Sequence, residues 1–212
     1  MKTTEELKAE VNARLYRCRN GMTVDTMTRM EGAGRGRLLN YGVSLADIRT
    51  IAEQYAPCQP LADTLFDSNV RDHRLAAVYI ADPALFDHNK AQRWMRNCRT
   101  VEIADCAAQA LLCKVTDIIE AAAPLIGEDV LTSHAAVMSV ARAASSHHIA
   151  QAKAAELLSL IDPVKERCDH TTLSATTFML TTLNKAGHTA LTASFIDSLP
   201  PQAHAELEWL KQ

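Results

Sequence analysis

Few side chains in this sequence combine a type and a spacing that could support chemistry. One carboxylate, Asp105, stands in the run Thr100-Val101-Glu102-Ile103-Ala104-Asp105. Helical geometry puts Val101, Glu102, Gln109 and Leu112 on its side, with Ile103, Ala107 and Ala110 opposite and facing the core. A fixed carboxylate can stabilise positive charge developing on a neighbouring group, but standing alone it reads as a surface carboxylate. Lys90, Arg93, Arg96 and Arg99 recur every third residue, a stripe that drifts slowly around one helix. Such a stripe could follow a phosphate backbone, although a solvated outer face is the more common meaning of a charge run. The one glycine-rich stretch, Glu31-Gly32-Ala33-Gly34-Arg35-Gly36-Arg37, frees backbone amides between two arginines and could hold a phosphate. Its glycines are spaced by two and no strand precedes it, so it is no dinucleotide fingerprint; an interhelix loop is the commoner reading.

Other chemistries find no support. His147 and His148 are adjacent, and neighbours on a helix point too far apart to chelate one metal. The six cysteines, at 18, 58, 98, 106, 113 and 168, include no CxxC pair and read as small buried hydrophobes in a reducing compartment. No GxSxG, phosphate-binding loop or Cys–His constellation can be assembled. The sequence therefore implies no metal and no cofactor.

Helices must position these groups. The chain has 34 Ala and 23 Leu against 11 Val and 10 Ile, and Ala and Leu lose little entropy in a helix. Thr3-x-x-Glu6 is a capping box that opens a first helix running to about Asn20-Gly21, where glycine stops it. Ser44 opens another with Leu45, Ile48, Ala52 and Tyr55 on one face, ended by Pro57. Asp82-Pro83, Thr100, Thr116, Asp129, Asp162-Pro163, Thr171 and Ser198 before Pro200-Pro201 are further starts. This predicts roughly eleven or twelve helices of about three turns, with short links that force antiparallel pairs. No period-two pattern competes. Pairs repeating at roughly 35–45 residues build a HEAT-like solenoid, so the fold expected is all-α, one domain over residues 1–212.

The 212 residues are 48% hydrophobic and 22% charged, ordinary for a well-cored domain. The polar start and the absence of an uncharged apolar run of about 20 residues predict a cytoplasmic protein with no membrane span. Net charge is −3, which argues weakly against nucleic acid, yet residues 1–106 carry 15 Lys/Arg and residues 107–212 only 7. Any basic surface must come from the N-terminal half.

Three stretches carry a resemblance to a known family. Leu39-Asn40-Tyr41-Gly42-Val43 through Ile48-Arg49-Thr50-Ile51-Ala52 pairs a glycine with a hydrophobic residue before a helix ending in an LR.IA pattern. Leu61–Asp67 followed by Asn69-Val70-Arg71-Asp72-His73-Arg74 is a short helix and then a charged one. Val101 to Asp105 is similar to a W-D-x-x-D segment. In order and spacing, over about residues 20–200, these resemble the DNA alkylation repair (AlkD-like) family of HEAT-type repeats.

The resemblance implies a right-handed superhelix of antiparallel helix pairs wrapped around duplex DNA. It also implies excision of N3- and N7-alkylated purines by an aspartate and two tryptophans beside the deoxyribose. Carried over, the aspartate is Asp105, the first tryptophan position is Val101 and the second falls near Thr181; Trp94 and Trp209 lie elsewhere. Basic residues expected after Asp129 are absent, the stretch reading Ser133-His134-Ala135-Ala136. The resulting expectation is a duplex-DNA binder with weak or no glycosylase activity, Asp105 as its electrostatic residue, and Arg35, Arg37, Arg96 and Arg99 on phosphates. The alternative is a non-catalytic scaffold that takes a protein or peptide in its concave groove. A basic groove centred on Asp105 favours the first, a neutral or acidic one the second.

Overall fold

The computed structural model describes residues 2–24, 38–145 and 148–211. Among them no strand forms, and the only extended pairing is an isolated parallel bridge between Leu39 and Val70. Twelve helices are delimited: α1 Thr4–Arg17, α2 Leu45–Ala52, α3 Gln59–Phe66, α4 Arg71–Ile80, α5 His88–Arg96, α6 Val101–Ala110, α7 Ile118–Ala122, α8 Val130–Ala144, α9 Gln151–Ile161, α10 His170–Lys185, α11 Thr189–Asp197 and α12 Pro201–Leu207. Residues 21–24 are helical as well.

Alternate helices form two layers. The inner layer runs α2, α4, α6, α8, α10, each packed on the next, while α3, α5 and α7 cover it from behind. Inner helices meet through alanines: Ala104, Ala107, Ala108, Ala135, Ala141 and Ala175 are all buried. Small side chains let helix axes approach closely, which explains the alanine excess. One continuous apolar cluster runs from Val11 to Leu210. Near its centre the Trp94 ring stacks on Phe66 at 3.8 Å and meets Phe86 edge-on at 5.1 Å.

Many boundaries follow the caps read from sequence. Thr3 and Glu6 form the reciprocal box, and Ser44, Asp82, Thr100 and Asp129 each accept a backbone N–H at the start of a helical segment. Others differ. The first helix stops at Arg17, and Gly21 begins the next helical residues instead of ending the first. Asp162-Pro163 opens only a short 3-10 turn, and α10 is capped by Asp169, two residues before Thr171. Helix α7 follows Asp117 in a left-handed conformation, with no side-chain cap.

The charged helix α4 is buried almost throughout. Its charges are tied to backbone. Arg74 donates to the carbonyls of Ser68 (2.7 Å) and Asn97 (2.8 Å), and Asp72 accepts from the amides of Tyr41 (2.8 Å) and Val43 (3.0 Å). The loop it holds turns at Gly42, where φ is +71° and a Cβ would lie 2.2 Å from the Asn20 carbonyl oxygen. Only glycine fits there.

Candidate functional site

The inner helices line a groove of about 1290 Å³. Leu45, Arg49 and Glu53 come from α2, Arg71 and Tyr79 from α4, Val101, Glu102, Asp105, Cys106 and Gln109 from α6, and Thr171 and Ser174 from α10. Asp105 stands one turn into α6, a helix fixed by the Thr100 hydroxyl accepting from the Ile103 amide at 3.2 Å. Two neighbours depart from the expected face. Helix α6 ends at Ala110 and tightens into a 3-10 turn, which buries Leu112 in the core and leaves Ala110 on the groove.

Asp105 is not a lone carboxylate. Its Oδ1 lies 2.7 Å from Nε2 of His134, whose Nδ1 lies 2.9 Å from the Thr171 carbonyl oxygen. The carboxylate side is 44% exposed to the groove, while the imidazole is sealed behind it between α8 and α10. A carbonyl can only accept, so Nδ1 carries a proton and donates it. A further proton must then occupy the Nε2–Oδ1 contact. The pair is either imidazolium against carboxylate or neutral ring against carboxylic acid, and in both forms its net charge is zero.

Beside it, Arg71 is saturated. Its Nε donates to Glu102 at 2.7 Å, a second nitrogen donates to the other Glu102 oxygen, and Nη1 donates to Asp72 (3.1 Å) and the Val43 carbonyl (3.2 Å). Arg49 is held by Glu53 at 2.7 Å and lies over the Tyr79 ring at 6.0 Å. The Cys106 thiol meets the Tyr79 hydroxyl at 3.4 Å, and burial pushes both groups up from their ordinary pKa values. A protonated, buried thiol is no nucleophile. Among the described residues no three His, Cys, Asp or Glu side chains converge as metal ligands. No helix there is long and apolar enough to cross a membrane.

The sequence-derived cation set is placed differently from the groove. Arg35, Arg37 and the glycine-rich stretch, like His147, lie outside the described residues. On α5, Lys90 pairs with Asp63 (2.9 Å), Arg93 with Asp63 (3.1 Å) and Asp67 (3.2 Å), and Arg96 with Glu128 (2.9 Å). That face belongs to the covering layer and none of the three lines the groove. Arg99 is not on the helix at all, because α5 ends at Arg96 and buried Cys98 turns the chain toward Thr100. Of the named residues that are described, Asp105, Arg96 and Arg99, Asp105 alone lines the groove. With the Asp105–His134 pair neutral as a unit, the fixed charges lining the groove are Arg49, Arg71 and Lys114 against Glu53 and Glu102, close to balance. Trp94 is buried in the core and half-exposed Trp209 is not among the groove residues; the groove's aromatic wall is Tyr79.

His134 and Tyr79 were the residues that sequence reading passed over. A histidine within an alanine-rich helix shows no pattern, and its partner is 29 residues away.

The family described as DNA alkylation repair enzyme matches residues 16–207. A solved structure from "a new family of proteins related to the HEAT-like repeat DNA glycosylases with affinity for branched DNA structures" is similar at a TM-score of 0.74. Identity is 19%, with 95% of this chain and 92% of that one covered, so the likeness is one of fold. No curated protein matches the chain.

Proposed function

This chain belongs to the DNA alkylation repair enzyme family, and from that premise we propose that it binds DNA along its inner groove with little or no release of alkylated purines. The observation that carries the reading is the neutral Asp105–His134 pair at the centre of the groove. Excision of a cationic purine leaves positive charge developing on the sugar, and net negative charge is what stabilises it. A carboxylate already matched by a proton-bearing imidazole offers little of that. Val101 gives no aromatic face to exclude water, and Tyr79 stands on the neighbouring helix.

The test has two parts. Free N3-methyladenine and N7-methylguanine are quantified after incubation with methylated duplex, against a no-enzyme control; release near background is expected. Binding to duplex, single-stranded and four-way-junction DNA is measured by fluorescence anisotropy over a salt series. The junction is included because the structurally similar protein comes from a family with affinity for branched DNA. Rapid base release would overturn the non-catalytic part of the reading.

A second reading is favoured by one observation, the small net charge of the groove. A nearly neutral groove suits a protein or peptide segment better than a polyanion. Absence of binding to every DNA form at low salt would establish that scaffold reading over the first.

A further inference from the structure

A second cavity, of about 380 Å³, opens between α10 and the C-terminal segment. Gln202, Glu206 and Trp209 line it at spacings of four and three, so they share one face of α12 and of the 3-10 turn Glu208–Lys211 that follows. Leu173 and Thr177 of α10 line it as well, with buried Leu207. His170 and Ser174 line both this cavity and the groove, so the two adjoin.

Trp209 is 57% exposed, and among the described residues no ring, cation or hydrogen-bond partner meets its indole. This is not the exposure of a frayed end. Leu207 and Leu210 on either side are buried, the Leu210 carbonyl accepts from the Asn184 amide at 2.8 Å, and Lys211 pairs with Asp197 at 2.6 Å. The turn is pinned, and it holds a large apolar ring in water at a hydrophobic cost.

The charge beside the ring is negative. Glu206 is the cavity's carboxylate, and no lysine or arginine lines it. Neither Glu206 nor Gln202 has a side-chain partner among the described residues. The nearest cations in the sequence are engaged elsewhere, Arg167 with the Gly127 carbonyl at 2.7 Å and Lys211 with Asp197. The Thr177 hydroxyl donates to the Leu173 carbonyl at 2.7 Å, so toward the cavity it can only accept. An aromatic face, a carboxylate and an acceptor hydroxyl suit a cationic donor and repel a phosphate. A guanidinium fits better than an ammonium, because it is planar, weakly hydrated and stacks on aromatic rings.

We propose that this cavity docks an arginine side chain of a partner protein, entering from the side it shares with the groove. The guanidinium stacks on Trp209 and donates to Glu206, while the methylene stem covers Leu173 and Leu207. The site goes beyond DNA binding and stands whether or not the groove holds nucleic acid.

The probe is N-acetyl-arginine methylamide, titrated at matched ionic strength into ¹⁵N-labelled protein while the two indole N–H resonances are followed. Trp209→Phe assigns the peaks, and buried Trp94 serves as the internal control. The Trp209 peak should move saturably and the Trp94 peak should stay. The citrulline analogue, similar in shape and uncharged, should bind about five- to tenfold more weakly, as should the arginine probe to Glu206→Gln. Glu206 and Trp209 are both exposed, so the variants should fold, and matching backbone amide spectra check this. Free arginine should bind no more tightly than the blocked form; a clear preference for it would overturn the protein partner. An unmoved Trp209 peak, or equal affinity for the citrulline analogue, overturns the assignment. Tighter binding of adenosine overturns it too, and gives the cavity to an unpaired base. None of these outcomes alters the anisotropy test of DNA binding, which uses different probes.

Discussion

A carboxylate acts on a developing cation only with charge that is not already neutralised, and at Asp105 the neutralising group is His134. His134→Gln keeps a donor toward Oδ1 but cannot carry the extra proton, so Asp105 in that variant is a bare anion facing the groove. The expected result is base release from methylated duplex faster than wild type, by up to about tenfold, and lost again in the double variant with Asp105→Asn. Equal rates in wild type and His134→Gln would show that the imidazole does not restrain the carboxylate. A second histidine gives a prediction on stability. His73 is buried beside Asn12, with Nε2 at 2.9 Å from its amide oxygen and Nδ1 unpartnered, and burial pushes its pKa down to about 4. The fold keeps this ring neutral where the unfolded chain would protonate it. Its contribution is complete above pH 6.5, declines as pH falls from 6.5 toward 4, and amounts to about 3 kcal/mol at most. Urea denaturation at pH 7 and pH 5 should show this loss, and His73→Gln should reduce it.

At the level of single helices, the clearest prediction concerns the loop that α4 holds. Alanine at Gly42 would place a methyl group against the Asn20 carbonyl and the Val24 side chain, in a left-handed conformation that alanine avoids. Gly42→Ala should cost about 1–3 kcal/mol, read as a lower urea midpoint with an unchanged slope. Helix starts were legible wherever a side chain does the capping, as at Thr3, Ser44, Thr100 and Asp129. The start of α9 was illegible, because Ala150 makes no side-chain cap bond and burial of the helix supplies the stability, while at α7 the start read at Thr116 falls one residue before Asp117, which makes no such bond either. The basic run on α5 was misleading for a related reason. Its carboxylate partners, Asp63, Asp67 and Glu128, lie 26 to 32 residues away, one repeat up or down the array. Reading one helix at a time cannot find an ion pair between neighbouring repeats.

Across the whole molecule, pairing decides how strongly DNA can be held. Arg49, Arg71, Arg93 and Arg96 all face acids of their own chain, so a phosphate must compete with those acids. Few counterions would then be released on binding, and the log–log salt slope should be shallow, about −2 to −3. A slope of the order of −6 or steeper would require cations beyond those in the groove. The family and its layered helices were legible because order and spacing of soft motifs survive divergence, as in Gly42-Val43 before α2 and Val101 to Asp105 on α6. The centre of the site was legible only in part. Asp105 could be carried over by position, but His134 and Tyr79 acquire their contacts with it and with Cys106 from packing between helices, which no local pattern records.

The sealed position of His134 also makes it a built-in gauge of breathing motions. The ring is 1% exposed and both nitrogens are engaged, so a histidine-directed acylating reagent can reach it only when α8 and α10 part. His170 lines the groove itself and should acylate at once. The ratio of the two rates, read by mass spectrometry of the separate peptides, measures the opening free energy of that seam directly. A ligand that spans the groove should slow acylation of His134 by clamping the inner helices together, and slow that of His170 by covering it. One that merely coats the outer layer should leave both rates unchanged.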